Sequence, residues 1–127
     1  MRDRPIGVIG AGRVGTALGL GLIRAGYEVA GIAARSEAAR ERAERILPGT
    51  PVLDPAVVAE KSGILLLTVA DDGIGPLTEN LASGGHLRAG QYVMHASGAC
   101  GLAVLGPAAA VGAVPRWGRC RWPFIRP

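Results

Sequence analysis

The sequence predicts an α/β protein, a doubly wound parallel sheet of about six strands with helices on both faces. Short apolar runs alternate with longer stretches of helical period from residue 5 to residue 115, as a layered α/β fold requires. The run Ile64 to Val69 is apolar at most positions rather than alternating, as in a strand buried on both faces. Gly10-Ala11-Gly12-Arg13-Val14-Gly15 stands between the first apolar run and the first helical stretch.

Pro5 to Ile9 is the first strand. A helix follows from Arg13 to Ala25, with Gly26 as its left-handed cap. Gly15 and Gly19, four residues apart, share the face of that helix that must lie close to the sheet. Tyr27 to Ala33 is the second strand. Ser36 to Leu47 is a helix whose Glu37, Arg40, Glu41, Arg42, Glu44 and Arg45 read as a solvated face of mixed sign. Pro51 to Leu53 is a brief third strand, and Asp54-Pro55 is an N-cap followed by a first-turn proline. The buried strand Ile64 to Val69 leads into a helix from Asp71-Asp72 to about Ser83. Gln91 to His95 is a fifth strand, Gly101 to Val111 an Ala-rich helix, and Gly112 to Val114 begins a sixth strand.

The turn carries the chemistry. GxGxxG alone is a weak signal, but here it sits in a strand–turn–helix–strand unit of about 30 residues, the context of a dinucleotide site. Gly10 permits the tight turn, Gly12 lets the backbone approach a pyrophosphate, and Gly15 lets helix and strand pack closely. Amides of Ala11, Gly12, Arg13 and Val14 at the helix start, with the positive end of its dipole, would hold the phosphates. Sites for NAD or FAD place an acid about 20 residues past the motif, on the ribose hydroxyls. Here that position holds Arg35 and then Ser36, with no carboxylate between Glu28 and Glu37. A guanidinium and a hydroxyl suit a 2′-phosphate, so the expected cofactor is NADP. Ser36 can also serve as the N-cap of the next helix.

In an open parallel sheet the ligand lies beyond the carboxyl ends of the strands, which brings Val69 and Ala70 to the cofactor. His95 and Ser97 end the fifth strand and are the candidate catalytic residues, an acid–base group and a hydroxyl donor. A hydrogen-bonded strand end accounts for His95 equally well. Asp71 and Asp72 are explained by capping and first-turn roles, and Cys100 by burial at a helix start.

The formal charge of +4 does not mark a nucleic-acid binder. Residues 1–115 hold ten acidic and ten basic side chains, and the excess is Arg116, Arg119, Arg121 and Arg126. The two cysteines, Cys100 and Cys120, make neither a disulfide framework nor a zinc site, so no metal is expected and a reducing cytoplasm fits. The longest uninterrupted apolar run, Ile64 to Leu67, is far short of a membrane span, and Asp3 and Arg13 argue against a signal peptide. Composition breaks at Pro115. Residues 116–127 hold both tryptophans and the only phenylalanine without any period, and they read as an aberrant, disordered tail after a dinucleotide-binding domain of residues 1–115.

Val8-Ile-Gly-Ala-Gly-Arg-Val-Gly-Thr-Ala-Leu18, Ala34-Arg35-Ser36, Leu66-Leu-Thr-Val-Ala-Asp-Asp72 and His95-Ala-Ser-Gly-Ala99 together resemble a family of bacterial Rossmann-like NADP-binding proteins. That family carries a C-terminal helical domain of unknown function. Its relatives are pyrroline-5-carboxylate reductase and the 6-phosphogluconate and 3-hydroxyisobutyrate dehydrogenases. The resemblance covers about residues 5–115 and implies a Rossmann-type fold. It also implies an NADP(H)-binding domain of a hydride-transfer oxidoreductase, with homodimerisation in full-length relatives. Where relatives carry His this chain has Cys100, and where they continue through a His-Pro segment into the helical domain it has Arg116 onward. The resemblance therefore implies a truncated or frame-shifted product, lacking the domain that supplies most substrate contacts and not competent in catalysis alone. The alternatives are a non-catalytic module that binds or senses NADP(H), and an inert fragment.

Overall fold

The computed structural model describes residues 4–96 and 100–115, and the backbone of residues 116 and 117. Five parallel strands form one sheet in the order β2-β1-β3-β4-β5. They are β1 (Ile6–Ile9), β2 (Val29–Ala33), β3 (Ile64–Leu67), β4 (Tyr92–His95) and β5 (Val114–Trp117). The helices are α1 (Arg13–Arg24), α2 (Glu37–Ile46), α3 (Pro55–Lys61), α4 (Asp71–Ser83) and α5 (Gly106–Ala110).

The sheet divides two cores, and the period-2 pleat assigns each strand residue to one of them. Ile6, Val8, Ile64, Leu66 and Met94 pack with Leu22 of α1 and with Ala43 of α2 and Leu47 just after it. Ile9, Leu65, Leu67 and Val93 pack on the other side with Val58 of α3, Ile74 and Leu81 of α4, and Ala108 of α5. Every residue of β1 and β3 is buried, which is why Ile64–Leu67 reads as an unbroken apolar run.

The chain runs from β1 outward to β2, then returns across β1 to β3, pairing Ile9 with both Ala33 and Leu67. Between β1 and β3 the order of winding reverses, so a crevice opens beyond their carboxyl ends.

Helix boundaries follow local chemistry. The Ser36 side chain accepts the Ala39 amide at 3.1 Å and starts α2. Gly26, at φ +91°, turns the chain out of α1. Two expected elements come out smaller. The third strand expected over Pro51–Leu53 is a single parallel bridge, Ile32 to Val52, on the outer edge of β2, which leaves five strands in the sheet among the described residues. Pro51 has no amide to donate and Pro55 already begins α3, which leaves room for one bridge only. The Ala-rich helix expected over Gly101–Val111 is a 3-10 turn (Leu102–Leu105) followed by the short α5. Pro107 has no amide with which to continue the preceding turn, so a new helix starts at Gly106 with the proline in its first turn. At the far edge, β5 pairs with β4 as far as Trp117, two residues past the change of composition at Pro115. The rest of the 116–127 segment lies outside the described residues.

Leu66 is fully buried at the centre of the sheet. Leu66→Ala should therefore cost about 3 kcal/mol in stability through lost burial and the void left behind, to be read as a lower urea midpoint at unchanged slope.

Candidate functional site

The crevice is built around the turn Gly10–Gly15. Gly10 has φ +114°, a conformation that a side chain would strain, and a Cβ there would come within 2.7 Å of the Thr68 carbonyl oxygen. A Cβ at Gly15 would overlap the Gly10 carbonyl oxygen. At Gly12 a Cβ would meet nothing within 4 Å. Two of the three glycines thus allow chain to pack on chain, and Gly12 faces open space. Gly12 is the N-cap of α1 and makes no side-chain cap, and no acid lies in the first turn. The first-turn amides and the positive end of the helix dipole are left for an outside acceptor. That open cradle fits a pyrophosphate.

Both edges of the turn are tied down. The Gly10 amide donates to the Ala33 carbonyl of β2 at 3.0 Å, and the Thr68 amide donates to the Ile9 carbonyl at 2.9 Å. The Thr68 hydroxyl lies 2.8 Å from the Gly10 carbonyl oxygen and 3.2 Å from that of Ile9, donating across the switch point. The Thr16 hydroxyl donates to the Gly12 carbonyl at 2.8 Å. From α2, the half-buried Arg42 guanidinium donates to the Ala11 carbonyl at 3.2 Å.

Two hollows flank the turn. One, about 450 Å³, is lined by Gly10, Ala33, Ala34, Arg35, Pro55, Val69 and residues of α4. Arg35 and Ser36 are both exposed at its β2 side, and no carboxylate lines it. The Ser36 oxygen accepts the cap bond and keeps its own proton to donate. The other, about 130 Å³, is lined by Val14, Thr68, Val69, Asp71, Ile74 and Ala96. Val14 is 58% exposed at its mouth, an apolar side chain left uncovered at the start of α1. Val69 lies between the two hollows, and Ala70 is the N-cap of α4.

Of the residues expected at the cofactor, Gly10, Arg35 and Val69 line the larger hollow and Val14 and Val69 the smaller; Arg13 lines a separate groove between α1 and α2, and Ala11, Gly12, Gly15, Ser36 and Ala70 line neither hollow. His95 is placed differently from an accessible acid–base group. It is fully buried, and one ring nitrogen lies 2.9 Å from the Gly101 carbonyl oxygen. Ser97 lies outside the described residues. Asp71 and Asp72 are exposed in the first turn of α4 and make no side-chain cap; Ala70 holds the cap position. Cys100 is half-buried, its thiol 3.7 Å from the Asp71 carbonyl oxygen. Among the described residues, no group of three or more His, Cys, Asp or Glu is arranged to hold a metal, and no helix is long and apolar enough to cross a membrane.

Sequence reasoning missed Thr68 and Arg42. Thr68 reads as one more residue of an apolar strand, yet its place at the end of β3 opposite the first glycine could have singled it out. Arg42 reads as part of a solvated charge run. Glu37, Arg40, Glu41, Glu44 and Arg45 are indeed exposed, but Arg42 turns inward to the loop.

A family model described as a Rossmann-like domain matches residues 2–117. No curated protein matches the chain. Among solved structures, a protein named as an NADP oxidoreductase from Bacteroides fragilis is 27% identical, with a TM-score of 0.66 over 81% of this chain and 39% of its own. An NADH-preferring ketol-acid reductoisomerase from an uncultured archaeon is 26% identical, with a TM-score of 0.66 over 76% of this chain and 30% of its own. The 3-hydroxyisobutyrate dehydrogenase of Mycobacterium tuberculosis shares the fold at 14% identity, with a TM-score of 0.74 over 88% of this chain and 38% of its own. The chain thus spans 30–39% of the length of these three proteins.

Gly12→Val is expected to abolish dinucleotide binding while costing under about 1 kcal/mol in stability, since the new side chain enters only the open cradle. Circular dichroism and a binding titration on the same sample check it, and a folded variant with unchanged affinity would place the phosphates elsewhere.

Proposed function

The chain belongs to the Rossmann-like domain family, and on that premise we propose that it binds NADP(H) across the β1/β3 crevice as the cofactor-binding part of a hydride-transfer oxidoreductase. The observation that carries this is the cationic, carboxylate-free end of β2, where Arg35 lines the larger hollow and Ser36, next in the chain, is exposed. The turn amides hold the pyrophosphate, and Arg35 forms charge-assisted bonds to the 2′-phosphate with Ser36 adding a donor. Val14, Val69 and Ala96 give the smaller hollow an apolar border suited to the nicotinamide ring. When bound, the cofactor supplies the hydride chemistry; the protein orients it and covers one face.

Similarity to other proteins does not choose the dinucleotide, because neighbours named for NADP and for NADH both share the fold. The preference rests on Arg35. Substrate contacts and turnover belong, on this reading, to a further helical domain of the kind the full-length relatives carry.

A second reading is a module that binds or senses NADP(H) without catalysis. The burial of His95 favours it, since the acid–base candidate within the described residues has no exposed surface. Transfer of deuteride from 4-deuterated NADPH to a panel of imines and carbonyl compounds, by this chain joined to the helical domain of a relative, separates the two readings: transfer supports the first, and binding without transfer the second.

Arg35→Ala should weaken NADPH by about 1.5–3 kcal/mol, roughly tenfold or more, and leave NADH unchanged. Calorimetric titration of both cofactors checks it. Equal affinities in the unsubstituted chain would sink the NADP assignment.

A further inference from the structure

Arg42 reaches out of α2 to the Ala11 carbonyl, 31 residues away in sequence, at 3.2 Å. Its surroundings make the contact unusual. An arginine on a helix face of mixed sign would ordinarily find a carboxylate, and Arg40 does so with Glu44 at 3.9 Å. Among the described residues no carboxylate pairs with Arg42. It lies instead beside the start of α1, together with Arg13 and Arg45 along a groove that Thr16 also lines. A helix start is the positive end of its dipole, and α1 has no acid in its first turn to offset it. The Ala11 carbonyl is a neutral acceptor, so among the described residues no paired carboxylate offsets the positive charge that Arg42 adds there.

The carbonyl it holds shows how it acts. No cis bond occurs among the described residues. In a trans peptide the C=O and the next N–H point in opposite directions. A bond that draws the Ala11 carbonyl toward α2 therefore turns the Gly12 N–H the other way. Gly12 itself is uncrowded, since a Cβ there would find no neighbour within 4 Å, and among the described residues its amide donates to no protein acceptor. Two side chains thus set successive carbonyls, Thr68 that of Gly10 and Arg42 that of Ala11.

We propose that Arg42 is a positioning residue, fixing the Ala11–Gly12 peptide so that the Gly12 amide faces the pyrophosphate of the dinucleotide. The inference rests on the dinucleotide reading for its ligand, but the peptide orientation itself can be tested without one. Its effect must fall on the part of the ligand common to NAD(H) and NADP(H), in contrast to Arg35, whose effect falls on the 2′-phosphate alone.

The full chain is labelled with nitrogen-15 and compared with Arg42→Met, which keeps side-chain length and helix propensity, and with Arg42→Lys, which restores charge and a donor. Arg42→Gln is a second neutral variant should the methionine form not fold. In the neutral variant the Gly12 amide resonance should move. Affinities for NADPH and NADH should fall together, about tenfold each, leaving their ratio unchanged. Lysine should recover most of both effects. An unmoved Gly12 amide overturns the proposal. So does a loss confined to NADPH, which would make Arg42 a direct ligand of the 2′-phosphate. If the unsubstituted chain binds neither dinucleotide, the dinucleotide reading fails, while the Gly12 amide still decides whether Arg42 sets the peptide.

Discussion

The whole molecule is organised by a contact with no side chain in it, the first turn of α1 resting on the carbonyl of Gly10. Because residue 15 has no Cβ, the helix can start directly at the end of β1 and aim its unpaired amides over the strand ends. Any larger residue at 15 would push the helix off, and with it the direction of every amide in the turn. Gly10 makes the approach possible by taking φ +114°. Thr68 then anchors the same carbonyl to the neighbouring strand. A packing requirement and a binding requirement are met by one arrangement of backbone, which explains why the motif allows so little choice at those positions.

Charge is distributed across the crevice with the same economy. Residues 1–115 are neutral in sum, yet around the turn the balance is one-sided. Arg13, Arg35 and Arg42 stand on the α1 and α2 side, while Asp71 borders the hollow on the α4 side. The field across the crevice therefore runs from cationic to anionic over one ligand's length, and an asymmetric ligand would be oriented by it before close contacts form. Overall charge, dominated by the arginines after residue 115, hides this local asymmetry.

How much of this could be read from the sequence depended on how local each determinant is. The turn, the Ser36 cap and the Gly26 exit are set by residues within a few positions of each other, and α1, α2 and α4 begin and end within a residue or two of expectation. Val52 and the 101–111 segment differ because a strand and a helix need partners or uninterrupted length. Proline on either side of Val52, and Gly106-Pro107 in the second case, limit both. Arg42 was hidden for a further reason. Helical period shows which residues share a face, but not that one member of a wet face reaches a loop on another element. His95 looked available because it ends a strand, and only the turn at Gly101 shows that it is covered.

The strand order also sets the course of assembly. The unit β1–α1–β2 is local, so the turn and the Arg35 side of the crevice can form from one short stretch of chain. The Thr68 side arrives only when β3 inserts beside β1, closing a separation of 58 residues between Thr68 and Gly10. Closing that loop costs entropy before the buried contacts of Ile64–Leu67 repay it. Until then this four-residue apolar strand, covered on both faces in the native state, is exposed to other chains. A ligand that needs both sides of the crevice therefore binds only molecules in which β3 has taken its place beside β1.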